Sequence, residues 1–331
     1  MSRSRGSDAW RPSATMLALK LRARMLASAR NYFAAQNVLE VETPMLSRHA
    51  VSDINIESIE AHLELAPGTS FYLHTSPEFC MKRLLAAGAP DIYQLGKVFR
   101  DGERGHRHQP EFTLAEWYRH GFGLEQIIND TLGFIREVLG NSVVLGPTRR
   151  ISYREAFENA LGIDPISATI EELAPLATAR HHLNPATDRD KTDWLDLLLC
   201  QSVAPAFDRD CLTVLHHYPA EQAALARVNP DDPAVADRFE VFRGDLELAN
   251  GYVELGDAAE QRERCNRDQA ARQTLGKTIR PLDRDFLDAL QHGLPPCAGV
   301  AVGFDRLVMI AAGADHIGKV TSFIFNAERH T

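Results

Sequence analysis

From Phe99 to Arg119 the chain reads FRDGERGHRHQPEFTLAEWYR. The pattern predicts a strand ending in an arginine, a charged glycine-containing loop and a second strand. Strand side chains alternate, so Phe112, Leu114, Glu116 and Tyr118 fall on one face. That face carries an aromatic ring, a carboxylate and a phenol, with Arg100 at the end of the neighbouring strand. Such a set suits a nucleotide site that also holds a small cation. The ring can stack on a base, the guanidinium fork can grip a phosphate, and the acid can bind an amine.

Other segments must position these groups. Residues 13–36 are predicted as a helix, with Ser13 as its cap and Leu17, Leu21, Met25, Ala29 and Phe33 on one face. VLEVETP, 38–44, reads as a short strand stopped by Pro44. FYLHT, 71–75, is a strand, and Ser76-Pro77-Glu78 opens a helix to about Ala87 with a hydroxyl, a proline and an acid at its positive end. Residues 120–139 are helical. Residues 150–211 are mainly helical with Pro-, Asp- and Asn-rich loops and read as an insertion. LTVLHHY, 212–218, is a strand whose His216-His217 belongs to a sheet rather than a metal site. Residues 238–255 form a hairpin turning near Arg243-Gly244, 257–275 a polar helix, and 299–313 a strand running into a helix. Strands in hairpins with helices grouped between them give an α+β fold around a mostly antiparallel sheet.

Composition narrows the classes. The 331 residues are 44% hydrophobic and 24% charged, an ordinary globular balance with room for a sizeable core. A net charge of −9 gives no support to a basic nucleic-acid binder. The first thirty residues hold seven Arg/Lys, but Lys20, Arg22, Arg24 and Arg30 interrupt any apolar core, which excludes a signal peptide. No apolar run has transmembrane length. Five scattered cysteines without a C-x-x-C point to reduced thiols in a cytoplasmic protein.

Three signatures in order resemble the catalytic core of class II aminoacyl-tRNA synthetases. The first helix with VLEVETP is similar to motif 1, FRDGE…HQPEFTLAEWY to motif 2, and GVAVGFDRL, 299–307, to motif 3. TSPEFCMKRLL, PEFT and ELANGYVEL resemble the lysine and ATP site of lysyl-tRNA synthetase. That enzyme has an anticodon-binding barrel before motif 1. Here motif 1 follows a loose tail at 1–12, so residues 13–331 are expected to be one catalytic domain without an anticodon-binding domain. This architecture resembles the elongation factor P–(R)-β-lysine ligase family, whose members activate β-lysine with ATP and attach it to a lysine of elongation factor P. Ala301 stands where lysyl-tRNA synthetases have the middle glycine of motif 3. A methyl there removes room beside the amino acid, so the substrate should differ in shape from α-lysine.

The resemblance implies roles. Arg100 would hold the α-phosphate and substrate carboxylate, Arg306 the γ-phosphate, and Phe112 would stack on adenine. Asp101, Gly102, Glu103, His108, Gln109, Leu248 and Gly303 complete the ATP site, with Gly303 letting the backbone approach. Glu240 and Glu247 would bind Mg²⁺. Ser76, Pro77, Glu78, Glu116, Tyr118, Asn250, Glu254 and Ala301 would line the amino-acid pocket, whose acids suit two ammonium groups. Motif 1 implies a homodimer. Alternation sets Glu247 opposite Asn250 and Glu254, so all three share a site only if the chain bulges near Asn250-Gly251. Motif 2 normally has an acid where Gly102 stands; Glu103 is its nearest replacement. Gln109 replaces an asparagine.

Taken singly, Glu78 also reads as a helix-start acid, Arg100 as a turn residue, Phe112 as core and Glu240 as a structural carboxylate. Two functions besides the ligase remain. One is a free-standing amino-acid-activating enzyme with a tRNA or small-molecule acceptor, tRNA being disfavoured without an anticodon module. The other is a non-catalytic synthetase-like regulator, against which Arg100, Arg306 and the metal acids argue.

Overall fold

The computed structural model describes residues 10–181 and 189–325. Most of the tail expected at 1–12 lies outside the described residues. The elements, in chain order, are α1 (Met16–Ala34), β1 (Leu39–Glu40), β2 (Leu46–Ser47), β3 (Glu60–His62), β4 (Ser70–Leu73), α2 (Glu78–Ala86), β5 (Ile92–Phe99), β6 (Glu111–His120), α3 (Leu124–Leu139), β7 (Arg149–Ser152), α4 (Tyr153–Leu161), α5 (Ile170–His181), α6 (Lys191–Leu198), β8 (Thr213–Pro219), β9 (Val235–Arg243), β10 (Leu246–Val253), α7 (Ala258–Thr274), α8 (Arg284–Gly293), β11 (Cys297–Gly303) and α9 (Phe304–Ala312). Eight strands form one sheet in the order β1-β5-β6-β11-β10-β9-β8-β7. Only its two edge pairs, β1 with β5 and β7 with β8, are parallel. Strands β2, β4 and β3 make a second, small sheet.

Alternation divides the large sheet. Tyr93, Ala115, Trp117, Val300, Val302, Ala249, Phe239 and Val241 point to one face, where they share a core with Phe33 of α1, Phe134 of α3 and Leu307 of α9. The opposite face is polar. Register places Gln94, Glu116, Ala301, Asn250 and Glu240 in one row across five strands. Five neighbouring strands each place a side chain from this row on the face that their core residues leave free.

Local chemistry explains the boundaries. The α1 cap is Thr15, whose Oγ1 accepts the Ala18 N–H at 3.2 Å, not Ser13. The VLEVETP strand shrinks to Leu39–Glu40, because the Thr43 N–H turns to the Gln94 side chain at 2.9 Å and Pro44 has no N–H to offer. FYLHT joins the small sheet. The described part of the 150–211 region is largely helical, and α4, α5 and α6 bury Phe157, Leu173, Trp194 and Leu198 with Leu215 and Phe242. Leu215 pairs with Glu240, so these helices cover the far end of the polar face. His217, at φ 57°, sits at a bulge in β8, in line with the sheet reading of the histidine pair. Helix α8, which the sequence pattern did not reveal, packs on α2 through a Phe79–Phe286 stack at 4.4 Å.

Candidate active site

The amino-acid half of the site is assembled from α2, β6, β10 and β11. Ser76 has two tasks. Its Oγ accepts the Glu78 N–H at 3.0 Å, which starts α2, and it donates to Glu116 Oε2 at 2.7 Å. Tyr118 donates to the other Glu116 oxygen at 2.8 Å. Pro77 precedes the helix, and its carbonyl accepts the Met81 N–H. Ala301 lies between Glu116 and Asn250 in the row. Gly299 forms the floor of the next row, between Tyr118 and Tyr252. A Cβ there would lie 2.5 Å from both Glu254 Oε1 and the Tyr118 ring, so only glycine leaves these groups their places.

Glu247, Asn250 and Glu254 do meet this face, with a correction. The bulge lies at Leu248, not at Asn250-Gly251: Glu247 opposes Phe242 and Ala249 opposes Val241, leaving Leu248 as the extra residue. The extra residue puts Glu247 on the face shared by Asn250 and Glu240. Gly251 instead makes room for the Phe239 ring and the Gly299 carbonyl, each 2.7 Å from a Cβ built there. Leu248 turns its side chain into the core, so only its main chain is open to a nucleotide.

The pocket is rich in negative charge that has left water. Burial, then the neighbouring Glu78 charge, push Glu116 up to about 7. Burial pushes Glu254 upward too, while Lys82 pulls against it. Lys82 is buried, with Nζ 2.6 Å from Glu78 Oε1 and 2.5 Å from Glu254 Oε2. Among the described residues, Asn250 Oδ1 and both Glu254 oxygens are buried without a hydrogen bond, Oε2 being held by the Lys82 ion pair. Orphaned buried acceptors are costly, and an ammonium ligand would satisfy them.

The nucleotide half lies at the β5–β6 mouth. The Arg100 guanidinium sits 5.2 Å from the Phe112 ring centre and 3.4 Å from Glu103, and its buried Nε has no partner. Arg306, in the first turn of α9, donates to the Glu247 carbonyl at 2.6 Å and to His108 Nε2 at 2.8 Å, with Glu247 Oε2 at 3.4 Å. Arginine can only donate, so His108 accepts through Nε2 and is neutral. Burial, then the Arg306 charge, lowers its pKa. Asp305 fixes the start of α9: it accepts the Thr113 N–H at 2.6 Å and pairs with Arg22 of α1 at 2.5 Å. Two arginines whose counter-ions are partly exposed carboxylates can exchange those partners for phosphate oxygens.

Several expected ATP contacts are occupied otherwise. Asp101 is exposed, and its carboxylate accepts the Gly102 N–H at 2.8 Å. Gly102, at φ 75°, makes the turn. Gln109 is buried and accepts the Phe325 N–H at 3.0 Å. Gly303 has the Arg306 stem 3.4 Å from a built Cβ. Glu240 is buried, 2.6 Å from Arg238; burial pushes it up to about 7 against the pull of that arginine, with Glu247 raising it further. Two carboxylates on one face would fit a hard cation held mainly by phosphates and water, and Glu247 is the more exposed of the two. Sequence reasoning missed Lys82, Tyr252, Gly299 and Arg238. The Glu78–Lys82 spacing of four on a helix was the available signal for the first, and strand alternation between Asn250 and Glu254 for the second.

An antiparallel sheet carrying the acids, an arginine at the hairpin mouth and another in the first turn of the following helix define a class II synthetase-type catalytic core. A family model for class II tRNA synthetases (D, K and N) matches residues 2–327. The chain is 45% identical to the elongation factor P–(R)-β-lysine ligase of Vibrio cholerae over 322 residues, covering 96% of this chain and 98% of that protein. It is 44% identical to the ligase of that name from Pseudoalteromonas translucida (95% and 97% covered) and 43% identical to that from Klebsiella pneumoniae (95% and 97%). The chain belongs to the elongation factor P–(R)-β-lysine ligase family and is a ligase.

Proposed function

We propose that the protein activates (R)-β-lysine with ATP and transfers it to a lysine side chain of elongation factor P. In the first step the substrate carboxylate attacks the α-phosphate, giving the aminoacyl-adenylate and pyrophosphate. In the second the ε-amine of the acceptor lysine attacks the activated carbonyl, an amide forms, and AMP leaves with loss of a proton from nitrogen. Neither step needs a nucleophile from this chain, so its residues act by position and charge. Arg100 orients the substrate carboxylate and the α-phosphate beside Phe112, which takes the adenine. Arg306 exchanges His108 and Glu247 for the γ-phosphate. Glu247 and Glu240 would hold Mg²⁺, which would neutralise phosphate charge.

The observation that carries this reading is the set of buried acceptors without a hydrogen bond, Asn250 Oδ1 and the Glu254 carboxylate, in a pocket with three carboxylates. A substrate with two ammonium groups answers that chemistry, and an aspartate does not. The test is ATP–pyrophosphate exchange with α-lysine, (R)-β-lysine and aspartate in turn. Exchange with (R)-β-lysine above the other two supports the reading, and exchange with aspartate alone contradicts it.

The reading includes one catalytic domain with an insertion at 150–211, acting in the cytoplasm. Among the described residues no helix is long and apolar enough to cross a membrane. It also includes a homodimer through the motif 1 region, where Met16, Leu17, Leu39 and Met45 are exposed. Light scattering at micromolar concentration should give twice the chain mass; the mass of a single chain would contradict the dimer.

A further inference from the structure

Among the described residues, Lys82 is a positive side chain set between the acids that would bind the substrate's ammonium groups. Its residue is 1% exposed, deep in α2. An ammonium taken this far from water is tolerated only when it is paired and hydrogen-bonded. Its two partners are Glu78 and Glu254, at 2.6 and 2.5 Å. Phe286, stacked on Phe79, closes the side away from the sheet, with its ring centre 5.9 Å from Nζ. Burial alone would lower the lysine pKa; Glu254 and Glu78 outweigh burial and hold it above the ordinary lysine range.

Its geometry does more than staple a helix to a strand. Lys82 takes one oxygen of each acid, Glu78 Oε1 and Glu254 Oε2. Neither Glu254 oxygen has a hydrogen bond, and Oε1, which the Lys82 ion pair does not reach, hangs over the bare Gly299 floor. Charge follows the same division. Three carboxylates (Glu78, Glu116, Glu254) and one ammonium leave the ionised pocket at −2, which two ammonium groups neutralise. Without Lys82 the count is −3, and neither Glu78 nor Glu254 has its present anchor.

We propose that Lys82 is a positioning residue for the amino-acid substrate: it presents Glu78 and Glu254 each by one free oxygen and sets the pocket charge to match a diammonium ligand. This deepens the lysine-activating reading and rests on it. A purely structural lysine would, when replaced, lower stability and leave substrate affinity alone in the protein that still folds. A positioning lysine splits the kinetic constants.

The test is ATP–pyrophosphate exchange by the full chain and its Lys82→Met variant, whose side chain fills similar space without charge. The expected result is a KM for (R)-β-lysine raised on the order of 30-fold, with kcat and the KM for ATP within about threefold of the unaltered protein. Thermal unfolding confirms that the variant is folded. Should it not fold, Lys82→Gln, which keeps N–H donors for the carboxylates but removes the charge, is expected to raise the same KM through the altered pocket charge. An unchanged KM for (R)-β-lysine in a folded variant overturns the inference alone. No exchange by the unaltered protein with either lysine isomer overturns the ligase reading and this inference with it.

Discussion

Ala301 sets one methyl group between Glu116 and Asn250, at the centre of the polar row. A packed site registers a single methyl, so Ala301→Gly should shift the ratio of kcat/KM for (R)-β-lysine over α-lysine toward α-lysine by about tenfold. Exchange rates with the two isomers check this, and an unchanged ratio refutes it. Glu116 makes the site sensitive to pH. Burial and Glu78 raise it to about 7, so the empty pocket carries a proton there near neutrality. Two ammonium groups favour the ionised form, and binding expels that proton. Affinity should therefore weaken as pH falls from 7.5 to 6, by up to about tenfold per unit for each proton expelled. Calorimetry in buffers of different ionisation heat measures the released proton; equal heats in all buffers would contradict it. The same shift acts on folding with a defined sign. The unfolded carboxyl ionises near its usual value and the folded one near 7, so the empty protein loses stability as pH rises between them.

At the scale of elements, the pocket depends on two strands passing without side chains in the way. Gly299→Ala would put a methyl 2.5 Å from Glu254 Oε1 and the Tyr118 ring. The expected outcome is a loss of about 1–3 kcal/mol in thermal or denaturant unfolding, with a raised KM for the amino acid and little change in the KM for ATP. A variant as stable and as active as the parent would show that the pocket relaxes freely. Sequence alone disclosed the β5–β6 hairpin and the positions of Glu116 and Tyr118, because a two-residue period is a local property. It also required a bulge in β10 to reconcile Glu247 with Asn250, but it misplaced that bulge by two to three residues. The glycine that attracted the bulge is needed for clearance against Phe239, a contact made across strands and therefore absent from local pattern. The same limit hid α8, whose apolar side chains find partners on α2, and Lys82, whose second carboxylate lies 172 residues away in the chain.

For the whole molecule, one sheet separates two tasks. Its apolar face joins α1, α3 and α9 into the main core, and its polar face gathers acids from three strands with α2 and α8 closing one side and the 150–211 helices covering the far end. The order of motifs along the chain made this arrangement readable as a class, since each motif is a single strand or helix with its own residues. The pairing of Gln109 with Phe325 was not readable, because it depends on where distant segments come to rest, whereas that of Glu240 with Arg238, two residues apart on β9, followed from strand alternation and was overlooked. This pocket is proposed to activate (R)-β-lysine for transfer to a protein. The most direct measurement is the intact mass of elongation factor P after incubation with the enzyme, ATP, Mg²⁺ and (R)-β-lysine. The expected result is an added mass of one lysyl residue, absent when ATP is omitted. An unchanged mass, alongside active pyrophosphate exchange with (R)-β-lysine, would contradict it and assign the adenylate to another acceptor.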